Sequence, residues 1–122
     1  VAEDNELNME IVKYILEDAG ASVHPSYNGA QAVEAFSSAP PGTYDVILMD
    51  IMMPVMYGYE AAHSIRDMEM TRPDAADIPV IAMTANVFAE DIEKCLSAGM
   101  NDHMSKPVDV NDLIELLRKY IK

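Results

Sequence analysis

The sequence predicts an α/β domain in which a parallel β-sheet carries helices on both faces. Short apolar runs rich in β-branched residues, typical of buried strands, alternate along the chain with longer segments of helical periodicity. Alternation of this kind implies a parallel sheet covered on both sides. The 122 residues suffice for one such domain, which we expect to span residues 1–122.

The first half of the chain holds two predicted helices and two predicted strands. The first helix runs from about Glu6 to Ala19, with Gly20 as its stop. Its predicted buried stripe consists of residues four positions apart: Leu7, Ile11, Ile15 and Ala19. The next three elements are a strand near Ser22–Tyr27, a helix from about Ala30 to Ser38, and a buried strand at Val46–Met49.

The second half repeats the alternation. The predicted elements are a helix from about Tyr59 to Met68, a polar loop at Glu69–Asp77, a strand at Val80–Met83, a helix marked by Phe88, Ile92, Cys95 and Leu96 that stops at Gly99, and a short strand near Asp102–Met104. The last helix is predicted to bury a face made of Val110, Leu113, Ile114, Leu117 and Ile121.

Pro25 constrains the order of the strands. Proline removes a ladder donor and belongs on an edge strand, so the second strand should lie at an edge. The flavodoxin-like order 2-1-3-4-5 meets this requirement. Only Val1 and Ala2 precede the first acidic pair, so we expect the chain to begin inside its first strand, with upstream residues absent.

Composition excludes several function classes. The formal net charge of -13 repels phosphate backbones, so we expect no direct nucleic-acid binding. No apolar stretch approaches the ~18 residues that span a bilayer. A single cysteine, Cys95, cannot form an internal disulfide, and we expect a cytoplasmic setting, with a parent protein that is either soluble or membrane-anchored.

Polar residues follow the predicted strands where each strand ends. The first strand ends in Glu3-Asp4, the third in Asp50, the fourth in Thr84 and the fifth in Ser105-Lys106. Ligands of an open α/β sheet bind beyond the carboxyl ends of its strands. Three carboxylates gathered there raise one another's proton affinity unless a cation compensates, and Mg²⁺ accepts such oxygen ligands.

The segments Glu3-Asp4-Asn5, Asp50–Gly58, Thr84-Ala85 and Lys106-Pro107 together resemble the receiver domains of response regulators and hybrid histidine kinases. The resemblance implies phosphorelay signalling, in which Asp50 accepts a phosphoryl group from a phosphohistidine. The implied cofactor is Mg²⁺, or Mn²⁺ in its place. Its implied ligands are Asp50 and Asp4 directly, Glu3 through water, and the backbone carbonyl of Met52.

The same resemblance implies the groups around the phosphoryl oxygens. Thr84 would hydrogen-bond one oxygen, and Lys106 would pair with another. Family members usually carry Phe or Tyr where His103 stands, and commonly Asp where Tyr57 stands. Thr84 and His103 would form the conformational switch, and the surface that changes would be the face of the predicted fourth helix, the fifth strand and the last helix.

The resemblance is greatest to the C-terminal receiver of a hybrid histidine kinase. Implied partners are a histidine kinase or a histidine phosphotransfer domain, and a phosphorylation-dependent dimer is one implied form of output. The domain would promote its own phosphorylation and dephosphorylation, and the parent chain would be a histidine kinase.

Other functions stay open at this point. A stand-alone response regulator has the same motifs. A dehalogenase-like phosphatase also uses Asp and Mg²⁺, but it requires a second Asp where Met52 stands. A flavodoxin-like cofactor binder needs a glycine- and hydroxyl-rich loop after the first strand, where Glu3-Asp4 would repel phosphate. A scaffold without phosphotransfer is disfavoured because each reactive position is filled.

Overall fold

The computed structural model describes residues 1–3, 5–40, 43–51, 58–70, 74–84, 93–94, 96–105 and 109–120. Its sheet contains three parallel strands, and the middle one pairs with both others. The strands are β1 (Ile47–Asp50), β2 (Val80–Thr84) and β3 (Asp102–Ser105). Asp50 is opposite Met83, and Thr84 is opposite Ser105, so the carboxyl ends of all three strands meet at one edge.

Two single-residue bridges extend the sheet beyond β1. Ala2 makes parallel bridges to Met49 on one side and to Ser26 on the other. Across the sheet the order is therefore the segment at Ser26, the segment at Ala2, β1, β2 and β3. In chain order these are the second, first, third, fourth and fifth segments, which agrees with the predicted order 2-1-3-4-5. The predicted strand at Ser22–Tyr27 is reduced to this one bridge at Ser26, next to Pro25.

Within the described residues five α-helices have defined bounds: α1 (Glu6–Asp18), α2 (Gly29–Ser38), α3 (Gly58–Arg66), α4 (Asp74–Asp77) and α5 (Val110–Tyr120). A 3-10 helix, Asp67–Met70, continues α3. The predicted polar loop at Glu69–Asp77 was therefore wrong at both ends, where one-turn helices form. Of the helix predicted around Phe88–Leu96, residues 93–94 and 96–97 are helical, while Phe88, Ile92 and Cys95 lie outside the described residues. No helix among the described residues is long and apolar enough to cross a bilayer.

The sheet separates two hydrophobic cores because successive strand residues point to opposite faces. On β2, Val80 and Ala82 join the core under α2 and α3, whereas Ile81 and Met83 join the core under α1 and α5. Phe36 of α2 and Leu113 of α5 are among the largest buried side chains. This arrangement confirms the predicted doubly wound α/β fold.

The buried face of α1 differs from the predicted one. Met9, Val12 and Leu16 face the core, whereas Leu7 and Ile11 of the predicted stripe are 66% and 46% exposed. The prediction was also wrong for Ala19, which is exposed, but correct for Ile15, which is partly buried and packs against the core. The helix carries two apolar stripes, and spacing alone could not tell which one would face the sheet. In α5 the prediction was correct for Leu113 but wrong for Val110, which is 52% exposed.

Glycines end two helical segments as predicted. Gly20 after α1 and Gly99 after residue 98 both have φ of +95°, the left-handed region that closes helices.

Gly99 also contacts the side chain of Arg66. That guanidinium donates from Nε to Gly99 O at 2.9 Å, from Nη1 to Ala75 O at 2.9 Å and from Nη2 to Asn101 Oδ1 at 2.8 Å. Arg66 therefore ties α3 to α4 and to the turn before β3.

Candidate functional site

Asp50 is the last residue of β1 and is 3% exposed. Its backbone N–H donates to Ala2 O at 2.9 Å, and the N–H of Ile51 donates to Met83 O at 3.3 Å. The strand is thus held on both sides up to the residue at which it ends. These bonds fix the backbone that carries the carboxylate.

Glu3 is completely buried and lies level with Asp50 on the neighbouring segment. The bridge between Ala2 and Met49 brings the next residue of each segment side by side, and Glu3 N donates to Ser26 O at 2.9 Å. Neighbouring backbones in a sheet are about 4.8 Å apart. Two buried carboxylates therefore lie next to each other at this edge.

Thr84 completes the described part of the edge. It ends β2, is 4% exposed, and lies one residue beyond Met83, the partner of Asp50. Ser105 ends β3 opposite Thr84. The structure thus places Glu3, Asp50 and Thr84 on one rim, whereas Asp4, Met52 and Lys106 lie outside the described residues.

The donor set at this rim fits a hard divalent cation. A buried carboxylate is stable only when its charge is compensated, and adjacent carboxylates increase that requirement. Carboxylate oxygens are the ligands that Mg²⁺ prefers in proteins. Within the described ranges no three His, Cys, Asp or Glu side chains are grouped closely enough to hold a metal. The predicted site needs Asp4 and the carbonyl of Met52 in addition to Glu3 and Asp50.

His103, the predicted switch residue, is half-buried on β3 opposite Ala82. Its Nδ1 lies 3.9 Å from Asp102 Oδ1, and its backbone N–H donates to the same oxygen at 2.8 Å. The imidazole lines a groove of about 480 Å³ between β3 and α5. The other residues that line the groove are Met104, Asp112, Glu115, Leu116 and Lys119.

Sequence reasoning missed the cluster around Asp102. The Tyr120 hydroxyl donates to Asp102 Oδ2 at 3.0 Å, and Lys119 Nζ lies 3.4 Å from the same atom. Partial burial raises the pKa of Asp102, but hydrogen bonds from His103 N–H, Tyr120 and Lys119 outweigh it and hold the pKa below its usual value. The cluster fastens the end of α5 to the start of β3. Nothing in the local sequence signals it, because its members are 17 or 18 residues apart.

Comparison with known proteins agrees with this architecture. The profile of the response regulator receiver domain family matches residues 1–118. Hybrid signal transduction histidine kinase B of Dictyostelium discoideum is 38% identical over 99% of the chain, which spans only 6% of that protein.

Two solved structures extend the comparison. The receiver domain of a Pseudomonas aeruginosa sensor histidine kinase, with a magnesium ion coordinated in its active site cleft, is 37% identical with a TM-score of 0.85, covering 98% of this chain and 93% of that one. A Saccharomyces cerevisiae response regulator receiver domain, solved with a histidine phosphotransfer signaling protein, is 30% identical with a TM-score of 0.87, covering 98% of this chain and 84% of that chain.

Proposed function

Because this chain belongs to the response regulator receiver domain family and is homologous to the receivers of hybrid histidine kinases, we propose that Asp50 accepts a phosphoryl group from a phosphohistidine. The observation that carries the proposal is the buried Asp50 carboxylate at the end of β1, flanked by Glu3 and Thr84. A nucleophile held on fixed backbone at a strand end can meet an incoming phosphoryl group with little rearrangement.

The transfer conserves atoms and charge. A carboxylate oxygen of Asp50 forms a bond to phosphorus while the bond from phosphorus to the histidine nitrogen breaks. The electron pair of the broken bond stays on the imidazole nitrogen of the donor. The product is an acyl phosphate on Asp50, and the later attack of water on phosphorus would regenerate the carboxylate.

The residues around Asp50 have separate proposed roles. Mg²⁺ or Mn²⁺, when bound through Asp4, Asp50, the Met52 carbonyl and a water on Glu3, would neutralise charge on the phosphoryl oxygens. The Thr84 hydroxyl would donate to one phosphoryl oxygen. The Lys106 ammonium would pair with another.

The switch and the partners follow from the same proposal. When Thr84 turns toward the phosphoryl group, His103 would move inward from the groove between β3 and α5 and change that face. The donor would be a histidine kinase or a histidine phosphotransfer domain, as in the yeast complex. We propose that residues 1–122 form the receiver of a hybrid kinase that is either cytoplasmic or membrane-anchored. Phosphorylation-dependent dimerisation would be one output, and the domain would make no direct contact with nucleic acid.

Phosphorylation by acetyl phosphate tests the assignment. With Mg²⁺ the wild type should gain one phosphoryl group that hydroxylamine removes, and chelation with EDTA should abolish the gain. Asp50→Asn should take none. Asp45→Asn is the matched control, because this exposed residue precedes β1 and undergoes the same chemical change. Labelling that persists in Asp50→Asn would contradict the proposal.

A further inference from the structure

The end of α5 is held to β3 through one carboxylate. Asp102 Oδ2 accepts a hydrogen bond from the Tyr120 hydroxyl at 3.0 Å and another from Lys119 Nζ at 3.4 Å. The other oxygen, Oδ1, accepts from the backbone N–H of His103 at 2.8 Å. We call Asp102, Lys119 and Tyr120 the α5 latch, because these side chains fasten the last turn of α5 to the start of β3.

The β3 side of the α5 latch is anchored independently of α5. Asn101, which precedes Asp102, donates from its backbone N–H to Val80 O at 2.8 Å, and its Oδ1 accepts from Val80 N at 2.9 Å. The guanidinium of Arg66 donates to the same Oδ1 at 2.8 Å. These bonds tie the start of β3 to β2 and α3, so Asp102 is carried on backbone that stays in place when α5 moves.

The α5 side of the latch is held less firmly. Leu113, near the start of the helix, is completely buried, whereas Leu117 and Tyr120 in the last turn are only partly buried. The Lys119 side chain is 65% exposed, so water can solvate its ammonium group when the bond to Asp102 breaks. The last turn of α5 can therefore leave β3 while the first turns keep the helix in the core.

We propose that phosphorylation of Asp50 opens the α5 latch, and that the latched domain accepts a phosphoryl group less readily than the open one. This inference rests on the proposed function of Asp50 and on the inward movement of His103. The N–H of His103 orients the Asp102 carboxylate, so a backbone change at His103 would turn that carboxylate away from Tyr120. A domain whose latch is broken should be phosphorylated faster, because more of the protein occupies the open state.

Tyr120→Phe tests this coupling, because it removes the hydroxyl that binds Asp102 and keeps the aromatic ring. Labelling by acetyl phosphate with Mg²⁺ should be about threefold faster or more in this variant than in the wild type. A purely structural role would not increase the rate. Tyr14→Phe is the matched control, because this tyrosine of α1 is 73% exposed and loses the same hydroxyl, and its labelling should be unchanged.

Hydrogen exchange of the last-turn amides of α5 reports on the latch itself. Phosphorylation should speed this exchange in the wild type by about threefold or more. In Tyr120→Phe the exchange should already be fast before phosphorylation and should change little afterwards. In an Asp102→Ala background, Tyr120→Phe should have no further effect on labelling or exchange, since the carboxylate that it acts through is gone.

The outcomes separate the latch from the chemistry at Asp50. Failure of acetyl phosphate to label Asp50 would overturn the proposed function and the coupling with it. Normal labelling with α5 exchange unchanged by phosphorylation, or labelling of Tyr120→Phe no faster than that of the wild type, would overturn the latch inference alone. An effect of Tyr120→Phe that persists undiminished in Asp102→Ala would also overturn it.

Discussion

The contribution of the Arg66 hydrogen bonds to stability can be measured by comparing Gly20→Ala with Gly99→Ala. Both glycines have φ of +95°, where an alanine costs roughly 1–2 kcal/mol. At Gly20 nothing lies within 4 Å of an added Cβ, so Gly20→Ala should show the backbone effect alone. At Gly99 the added Cβ would lie 2.7 Å from Cγ of Arg66, which is too close for the side chain to stay in place.

The displaced Arg66 would lose some of its three hydrogen bonds, to Gly99 O, Ala75 O and Asn101 Oδ1. The side chain is half-buried, so we assign about 1 kcal/mol to each bond. Losing one to three of them makes Gly99→Ala about 1–3 kcal/mol more destabilising than Gly20→Ala. Urea unfolding gives both free energies of unfolding from the midpoint and the slope.

The double variant Gly99→Ala/Arg66→Ala tests whether displacement of Arg66 causes the additional destabilisation by Gly99→Ala. Without the guanidinium, Gly99→Ala should destabilise by the same amount as Gly20→Ala, since only the backbone effect remains. Equal effects of the two glycine substitutions in the wild-type background would refute the reasoning. An excess at Gly99 that survives Arg66→Ala would refute it as well.

Three further predictions concern pH and the phosphoryl group. The pKa of Asp102 is lowered on folding, so the ionised side chain stabilises the protein above about pH 4, and this contribution is lost as the pH falls further. The difference in unfolding free energy between wild type and Asp102→Asn, measured by urea titration, should therefore shrink below about pH 4. A difference that stays constant with pH would contradict this. If His103 turns inward on phosphorylation, amide shifts should extend beyond the residues around Asp50 to β3 and α5, and shifts confined to the surroundings of Asp50 would exclude this switch. The Met52 side chain has no strong hydrogen-bonding group that could orient the water that hydrolyses the acyl phosphate. Met52→Asn and Met52→Glu should therefore hasten decay of the acyl phosphate. Unchanged decay in both variants would show that Met52 does not limit hydrolysis.

The sequence by itself was enough to predict the fold class and to place the described site residues at one edge. Each strand is a short apolar run that ends in a polar residue, and parallel strands bring their carboxyl ends together. Because both facts are local, Asp50 and Thr84 could be placed at the ends of β1 and β2 from the residues around them. The same reasoning predicted helix ends at Gly20 and Gly99, where only a left-handed backbone closes the helix.

Only the tertiary structure decided which side of each helix is buried and which distant residues meet. Helix α1 has two apolar stripes that both fit helical spacing, and the position of the sheet, not the local sequence, determined that Met9, Val12 and Leu16 face the core. The bonds from Arg66 to Gly99 and from Tyr120 to Asp102 join residues far apart in the chain. Such contacts depend on how whole elements pack, so helical periodicity could not predict them. For the same reason, only the folded structure shows that Leu7 and Ile11 lie on the exposed face of α1.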